Sequence, residues 1–246
     1  MRYLFFCIIL FTTLNADAQS LQLHYDLRHT VDPAHNPKNF PTLYFEYFKT
    51  PDSGKSFIKF GSFLLKTEAD LTGTNDNIGK YYMQVSQDFR FWQPKIFLSL
   101  QYSGGLGVTN PAQYSYYIAN TYDAGGSYPF KWGNAYMSSV LDFKYVAYNK
   151  PSRDFLYTLY FYRRLWNYKV EFAGDFSIWT ENKNHGDNLT EGMTGKRFFF
   201  FAEPQLWYNL SKRFAVGTKL NTYYHVNITA NVLQEYPTIA LRLKLG

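Results

Sequence analysis

The feature that most constrains this chain is a side-chain alternation of period two that recurs along nearly its whole length. Ile239, Leu241, Leu243 and Leu245 alternate with Ala240, Arg242 and Lys244, so one face suits lipid and the other is charged. The same pattern sets Leu21, Leu23, Tyr25 and Leu27 against Gln22, His24, Asp26 and Arg28, and Tyr81, Met83 and Val85 against Tyr82, Gln84, Ser86 and Asp88. Further along, Val170, Phe172, Phe176 and Ile178 alternate with Glu171, Ala173, Asp175, Ser177 and Trp179. Successive side chains of a strand point to opposite faces, whereas helices repeat their apolar residues every three or four positions. The chain is therefore expected to be all-β.

The first residues carry the parts of a secretory signal: Arg2, an apolar run from Leu4 to Leu14, and the small-residue pattern Ala16, Asp17, Ala18. Cleavage is expected after Ala18, leaving residues 19–246 as a single barrel domain. The apolar run is too short for a spanning helix, which needs about 20 residues, and no later stretch supplies one. Cys7 lies inside the signal, so the mature chain is expected to have no thiol, disulfide or cysteine metal site. Loss of Arg2 and Asp17 with the signal leaves the net charge at +6. The lysines and arginines are scattered singly, which argues against nucleic-acid binding.

Tight turns recur roughly forty residues apart, around Pro51–Gly54, Trp92–Lys95, Pro129–Asn134, Trp166–Tyr168 and Ser211–Arg213. Five turns join ten strands, and a first strand near 21–28 and a last near 233–245 make twelve. An even number of antiparallel strands is the rule for bacterial outer-membrane barrels. Longer polar connections at about 29–39, 66–79, 104–113, 149–154, 181–196 and 227–232 are the expected extracellular loops, with Gly104, Gly105 and Gly107 marking a strand-to-loop exit. Trp92, Trp132 and Trp166 all fall at the short turns, where an indole can bury its ring in lipid and keep its N–H wet. The 23 Tyr, 23 Phe and 5 Trp in a chain of polar mean hydropathy fit the same picture. A transmembrane up-and-down barrel has an aromatic-girdled lipid face and a polar lumen. Its partners are then outer-membrane lipid, lipopolysaccharide and the barrel-assembly machinery.

Several segments resemble the nucleoside-specific channel-forming outer-membrane proteins, the Tsx-like barrels. The most specific runs from Phe200 to Tyr208, with Glu203-Pro204-Gln205 at its centre. Gly174–Trp179, the stretch from His24 to Phe48, and Pro237–Lys244 are similar in placement. The resemblance implies a twelve-stranded barrel with a narrow, aromatic-lined passage that lets nucleosides diffuse through.

The alternation sends His24, Asp26, Glu46, Asp88, Asp142, Lys144, Glu171, Asp175, Trp179, Glu203, Gln205, Trp207, Lys219, Asn221, Tyr223, Arg242 and Lys244 inward. Rings can stack a base while carboxylates and amides take up its hydroxyl and amine groups. Trp179, Trp207 and Tyr223 are the expected stacking residues, with Glu203, Gln205, Asp175, Glu46 and Asp26 as polar partners. The competing reading is a plugged barrel, its charges paired across the lumen, acting through its outer loops as a structural or adhesion protein. Pro204 lacks the N–H that an inner strand donates, so a bulge is expected there. Some outer-membrane barrels modify lipids with serine and histidine. Here His24, His29, His35, His185 and His225 sit in no recognisable motif with a serine and a carboxylate. The chain is therefore expected not to be an enzyme, and to need neither cofactor nor metal, although His29, Asp32 and His35 could bind one.

Overall fold

The computed structural model describes residues 19–49, 58–109 and 114–245. The expected signal, its cleavage site, Cys7 and the Pro51–Gly54 turn lie outside these residues. The elements are β1 (Gln19–Asp26), α1 (Arg28–Val31), β2 (Phe40–Lys49), β3 (Lys59–Asp70), a 3-10 turn (Thr74–Asp76), β4 (Lys80–Arg90), β5 (Phe97–Val108) and β6 (Ser115–Trp132). They continue with β7 (Ala135–Val146), β8 (Ser152–Leu165), β9 (Val170–Asn182), β10 (Lys196–Ala202), β11 (Gln205–Asn209), β12 (Phe214–Tyr224) and β13 (Leu233–Lys244).

All pairings are antiparallel between neighbours, and β1 pairs with β13 to close the sheet. Closure removes the free edges whose unpaired backbone groups lipid cannot satisfy. Thirteen strands fill twelve positions, because β10 and β11 share one, both lying between β9 and β12. The expected twelve-stranded up-and-down barrel is thus the observed fold.

The alternation sorts side chains as the sequence indicates. In β1, Leu23 is 44% exposed on the outer face while its neighbour His24 is 1% exposed within. Leu100, Tyr122, Leu141, Phe155, Ile239 and Leu241 continue the outer apolar band. Trp132 and Trp166 are exposed at the short-turn end. By the usual asymmetry of such barrels, the short turns are periplasmic and the longer connections extracellular.

Several boundaries move. Lys66–Asp70 and Gly104–Val108, expected as loop, are strand in β3 and β5. Pro129–Trp132 belongs to β6, leaving Gly133 and Asn134 as the turn. Strands extend because the ladder continues for as long as a neighbour offers partners, and composition alone does not reveal that neighbour.

The bulge expected at Pro204 is absent. Ala202 faces Phe176 and Gln205 faces Ala173, so the register is unchanged across the break. Glu203 N–H still donates to the Asp175 carbonyl, and Leu220 N–H to the Pro204 carbonyl, each at 3.0 Å. The missing donor costs one ladder bond toward β12. What makes room is Gly174, with φ +147°, where a Cβ would lie 2.5 Å from the Glu203 carbonyl oxygen and 2.9 Å from Pro204 Cα. A register-true break here keeps Glu203 and Gln205 on the lumen side.

Candidate functional site

The lumen is occupied by side chains in three groups. Near the short turns, Glu171 accepts from Arg242 at 2.5 Å, Lys244 at 2.7 Å and Asn209 at 3.0 Å. The Arg242 guanidinium lies 4.5 Å from the Trp207 ring centroid, and the Trp207 indole donates to Gln205 Oε1 at 3.0 Å. A guanidinium keeps its charge while stacking, so it can bridge ring and carboxylate together.

At mid-height, Glu203 binds both Lys66 and Lys219, the latter at 3.3 Å, and Tyr44 OH lies 3.4 Å from its Oε1. The Lys219 ammonium is 4.6 Å from the Tyr44 ring and that of Lys66 is 5.4 Å away. Glu46 stands opposite Lys66 in the β2–β3 register, and Asp175 is an electrostatic neighbour of both lysines. Lys66 and Glu203 come from strands five positions apart around the ring, so their contact crosses the lumen. Gln84 Nε2 crosses again to Tyr160 OH at 3.4 Å, from β4 to β8. Tyr44, Lys66, Glu203 and Lys219 are all buried.

Beside this lock, His24 Nε2 meets Gln22 Oε1 at 2.8 Å and Nδ1 meets Thr238 Oγ1 at 2.9 Å. Gln22 Nε2 already donates to Ser20, so its oxygen faces the ring and Nε2 carries the proton. The ring packs edge-on against Trp207, with centroids 5.8 Å apart.

At the loop end, Trp179 stacks on Phe199, with centroids 5.2 Å apart and planes 7° from parallel. Glu181 accepts from the Trp179 indole at 2.7 Å and from Tyr148 OH at 2.8 Å, and Lys144 approaches it at 3.8 Å. Tyr148, in the loop after β7, is stacked on His185 at 3.9 Å. Burial first, and then the Glu181 carboxylate, hold its phenol above the usual range, so it remains a donor.

The expected contact residues are therefore distributed differently from a single site. Trp179 is at the mouth, Glu203 in the mid-height lock and Gln205 with Trp207 in the group below it. Tyr223 lies against Phe201 at 5.4 Å and Tyr236 at 6.1 Å. Trp207 does not converge with Trp179 and Tyr223, because its indole is held by Gln205, His24 and Arg242. Asp26 is an anchor: it takes two hydrogen bonds from the Arg28 guanidinium, which covers Phe40 and Tyr236 at 4.6 and 4.8 Å. Tyr44, Lys66, Tyr148 and Phe199 were missed. Lys66, Glu68 and Asp70 do alternate with Leu65, Thr67 and Ala69, a signal hidden by reading the segment as loop. Tyr44 shares the inward parity of Glu46, two residues on, a signal passed over because Leu43 and Phe45 flank it with apolar side chains.

The match to known proteins bears on the whole barrel. A family model matches residues 18–244, from just before β1 to the end of β13. The chain belongs to the family described as domain of unknown function DUF5020. No curated protein matches it. Among solved structures, this DUF5020 barrel is similar to LpxR from Salmonella typhimurium, with 7% identity, a TM-score of 0.44, and coverage of 92% of this chain and 99% of that one. It is also similar to outer membrane phospholipase A from Escherichia coli, with 12% identity, a TM-score of 0.44, and coverage of 97% and 98%. The expectation that the chain is not an enzyme is corrected here: of these two barrels, one is named for a phospholipase activity. Absence of a serine–histidine motif in the sequence was too weak a ground, since such groups come together only in the folded barrel.

Proposed function

We propose that the protein is a plugged outer-membrane barrel that works at its extracellular loop end instead of conducting solute through its lumen. The observation that carries this reading is the lock of Glu203 between Lys66 and Lys219, with Tyr44 beside it, joining strands on opposite sides of the barrel. Ions paired at this depth are held by Coulomb attraction in a low dielectric and do not part readily. In planar bilayers the purified barrel is expected to give no steady conductance, and liposomes containing it no nucleoside flux. Replacement of residues 183–195 by a short turn is expected to abolish the cellular role while leaving a folded barrel. Steady conductance that nucleosides block would overturn the proposal. Release of fatty acid from phospholipid or lipid A by the same preparation would make that loop-end role an enzymatic one.

A second reading, selective diffusion of small polar solutes such as nucleosides, is favoured by one observation. The parallel Trp179–Phe199 and Tyr148–His185 stacks, bridged by Glu181, place flat ring faces and a carboxylate at the mouth. Nucleoside flux that is lost in Trp179→Ala would establish it.

A further inference from the structure

On the outer wall, toward the loop end, an open groove of about 500 Å³ runs over β9 between side chains of the neighbouring strands. Phe155 on β8 and Phe198 on β10 form its ridges, 68% and 48% exposed. Ile178 and the smaller Thr180 on β9 form the floor, with Thr180 opposite Phe198 in register. Phe143 on β7 stands opposite Phe155, its ring 6.2 Å away, and extends the apolar wall.

Basic residues cap both ridges at the same height. Side chains two apart on a strand share a face, so Arg153 stands next beyond Phe155 and Lys196 next beyond Phe198, each toward the loops, and both line the groove. Between them β9 contributes the neutral Asn182, opposite Lys196 in register. Lys196 Nζ donates to the Arg153 carbonyl at 3.0 Å and pairs with Asp154, which ties the two caps together. Asp154 also accepts from Ser152 and Thr180 hydroxyls, each at 2.6 Å. This acid does not cancel the surface charge, because its side chain is 3% exposed against 47% for Lys196, and Arg153 is exposed as well. The groove thus joins apolar walls to a cationic head.

We propose that this groove holds one phosphorylated, acylated glycolipid of the outer leaflet, lipid A, with an acyl chain in the trough over β9 and a phosphate between Arg153 and Lys196. A concavity on the lipid face of a membrane barrel is filled by lipid chains, so headgroup chemistry decides which lipid stays. A guanidinium offers a phosphate two parallel N–H bonds and an ammonium adds a point charge. Basic side chains at the boundary of the apolar band attract anionic headgroups for the same reason. A second groove on this wall supplies the contrast. At the short-turn end, Trp132, Met137, Phe161 and Phe172 line a space of about 630 Å³ whose one basic residue is Arg163. Paired cations mark the upper groove alone of these two. The proposal requires an outer-membrane barrel and holds whether or not the lumen conducts.

The test is native mass spectrometry of the protein refolded in lipid-free detergent and titrated with diphosphoryl lipid A, with the same lipid stripped of its phosphates, and with phosphatidylglycerol. Wild type is expected to retain one diphosphoryl lipid A under conditions where neither of the other lipids stays bound. Arg153→Gln and Lys196→Gln are each expected to raise the half-saturating concentration about tenfold, while Arg163→Gln, in the lower groove, leaves it unchanged. Equal retention of the dephosphorylated lipid or of phosphatidylglycerol would overturn the proposal, as would unchanged affinity in both upper-groove variants. Should Lys196→Gln fail to fold because Asp154 loses its partner, Thr180→Trp keeps every charge and fills the trough. It is expected to weaken retention about tenfold, and unchanged affinity there would overturn the proposal as well.

Discussion

The two sides of the lumen obey the same inward–outward alternation yet handle buried charge in opposite ways. Around β1–β3 and β9–β13, buried carboxylates bond cations directly: Glu203 to Lys66 and Lys219, and Glu171 to Arg242 and Lys244. Along β4–β7, Asp88, Asp123 and Asp142 have only hydroxyl and amide partners. The first side is closed upon itself, and breaking any pair strands a charge. The second is held by hydrogen bonds to neutral groups. A barrel of this strand number can therefore combine an ion-paired lock with a wall whose carboxylates are held by hydroxyl and amide donors.

One chemical change, carboxylate to amide, separates the two sides. Glu203→Gln leaves two buried ammoniums facing a neutral group and is expected to destabilise the barrel by about 3–5 kcal/mol, read as a lower urea midpoint in lipid vesicles. An unchanged midpoint would mean that the lock is hydrated, and the contrast would collapse. Gly174→Ala probes the scaffold of that lock. A Cβ at φ +147° against the Glu203 carbonyl is expected to cost about 1–3 kcal/mol, and a neutral result would show that the Glu203-Pro204 break does not depend on the glycine. Asp142→Asn is expected to raise stability by about 1 kcal/mol, because it removes a buried charge that no cation bonds; a loss as large as that of Glu203→Gln would make the two walls alike. Smallest of all, Trp166→Ala at the exposed turn touches neither side and is expected to change stability by less than about 1 kcal/mol. A larger loss would move the anchoring of the barrel to its short-turn girdle.

The legible part of this protein was whatever depends on local pattern. Ile239 to Leu245 announced a strand with a lipid face and a charged face, and β13 has that arrangement from Gln234 to Lys244. The count of twelve positions followed from turns and alternation, and the closed ring agrees. Less legible were the ends of β3 and β5, where polar or glycine-rich residues looked like loop but remained in register with a neighbour. Pro204 was read from its own missing donor, whereas the accommodating residue, Gly174, is on the next strand.

Sequence by itself determined the class of fold and which residues turn inward, because a strand's period is a property of its own backbone. Tertiary structure alone decided what the inward residues do. Trp207 and Trp179 share a lumen and yet serve separate groups; Lys66 and Glu203, far apart in sequence, meet across the barrel; Asp142 finds a bare Gly125 where another carboxylate found a lysine. Those pairings depend on ring position and height, which are set only when β1 meets β13 and the sheet closes.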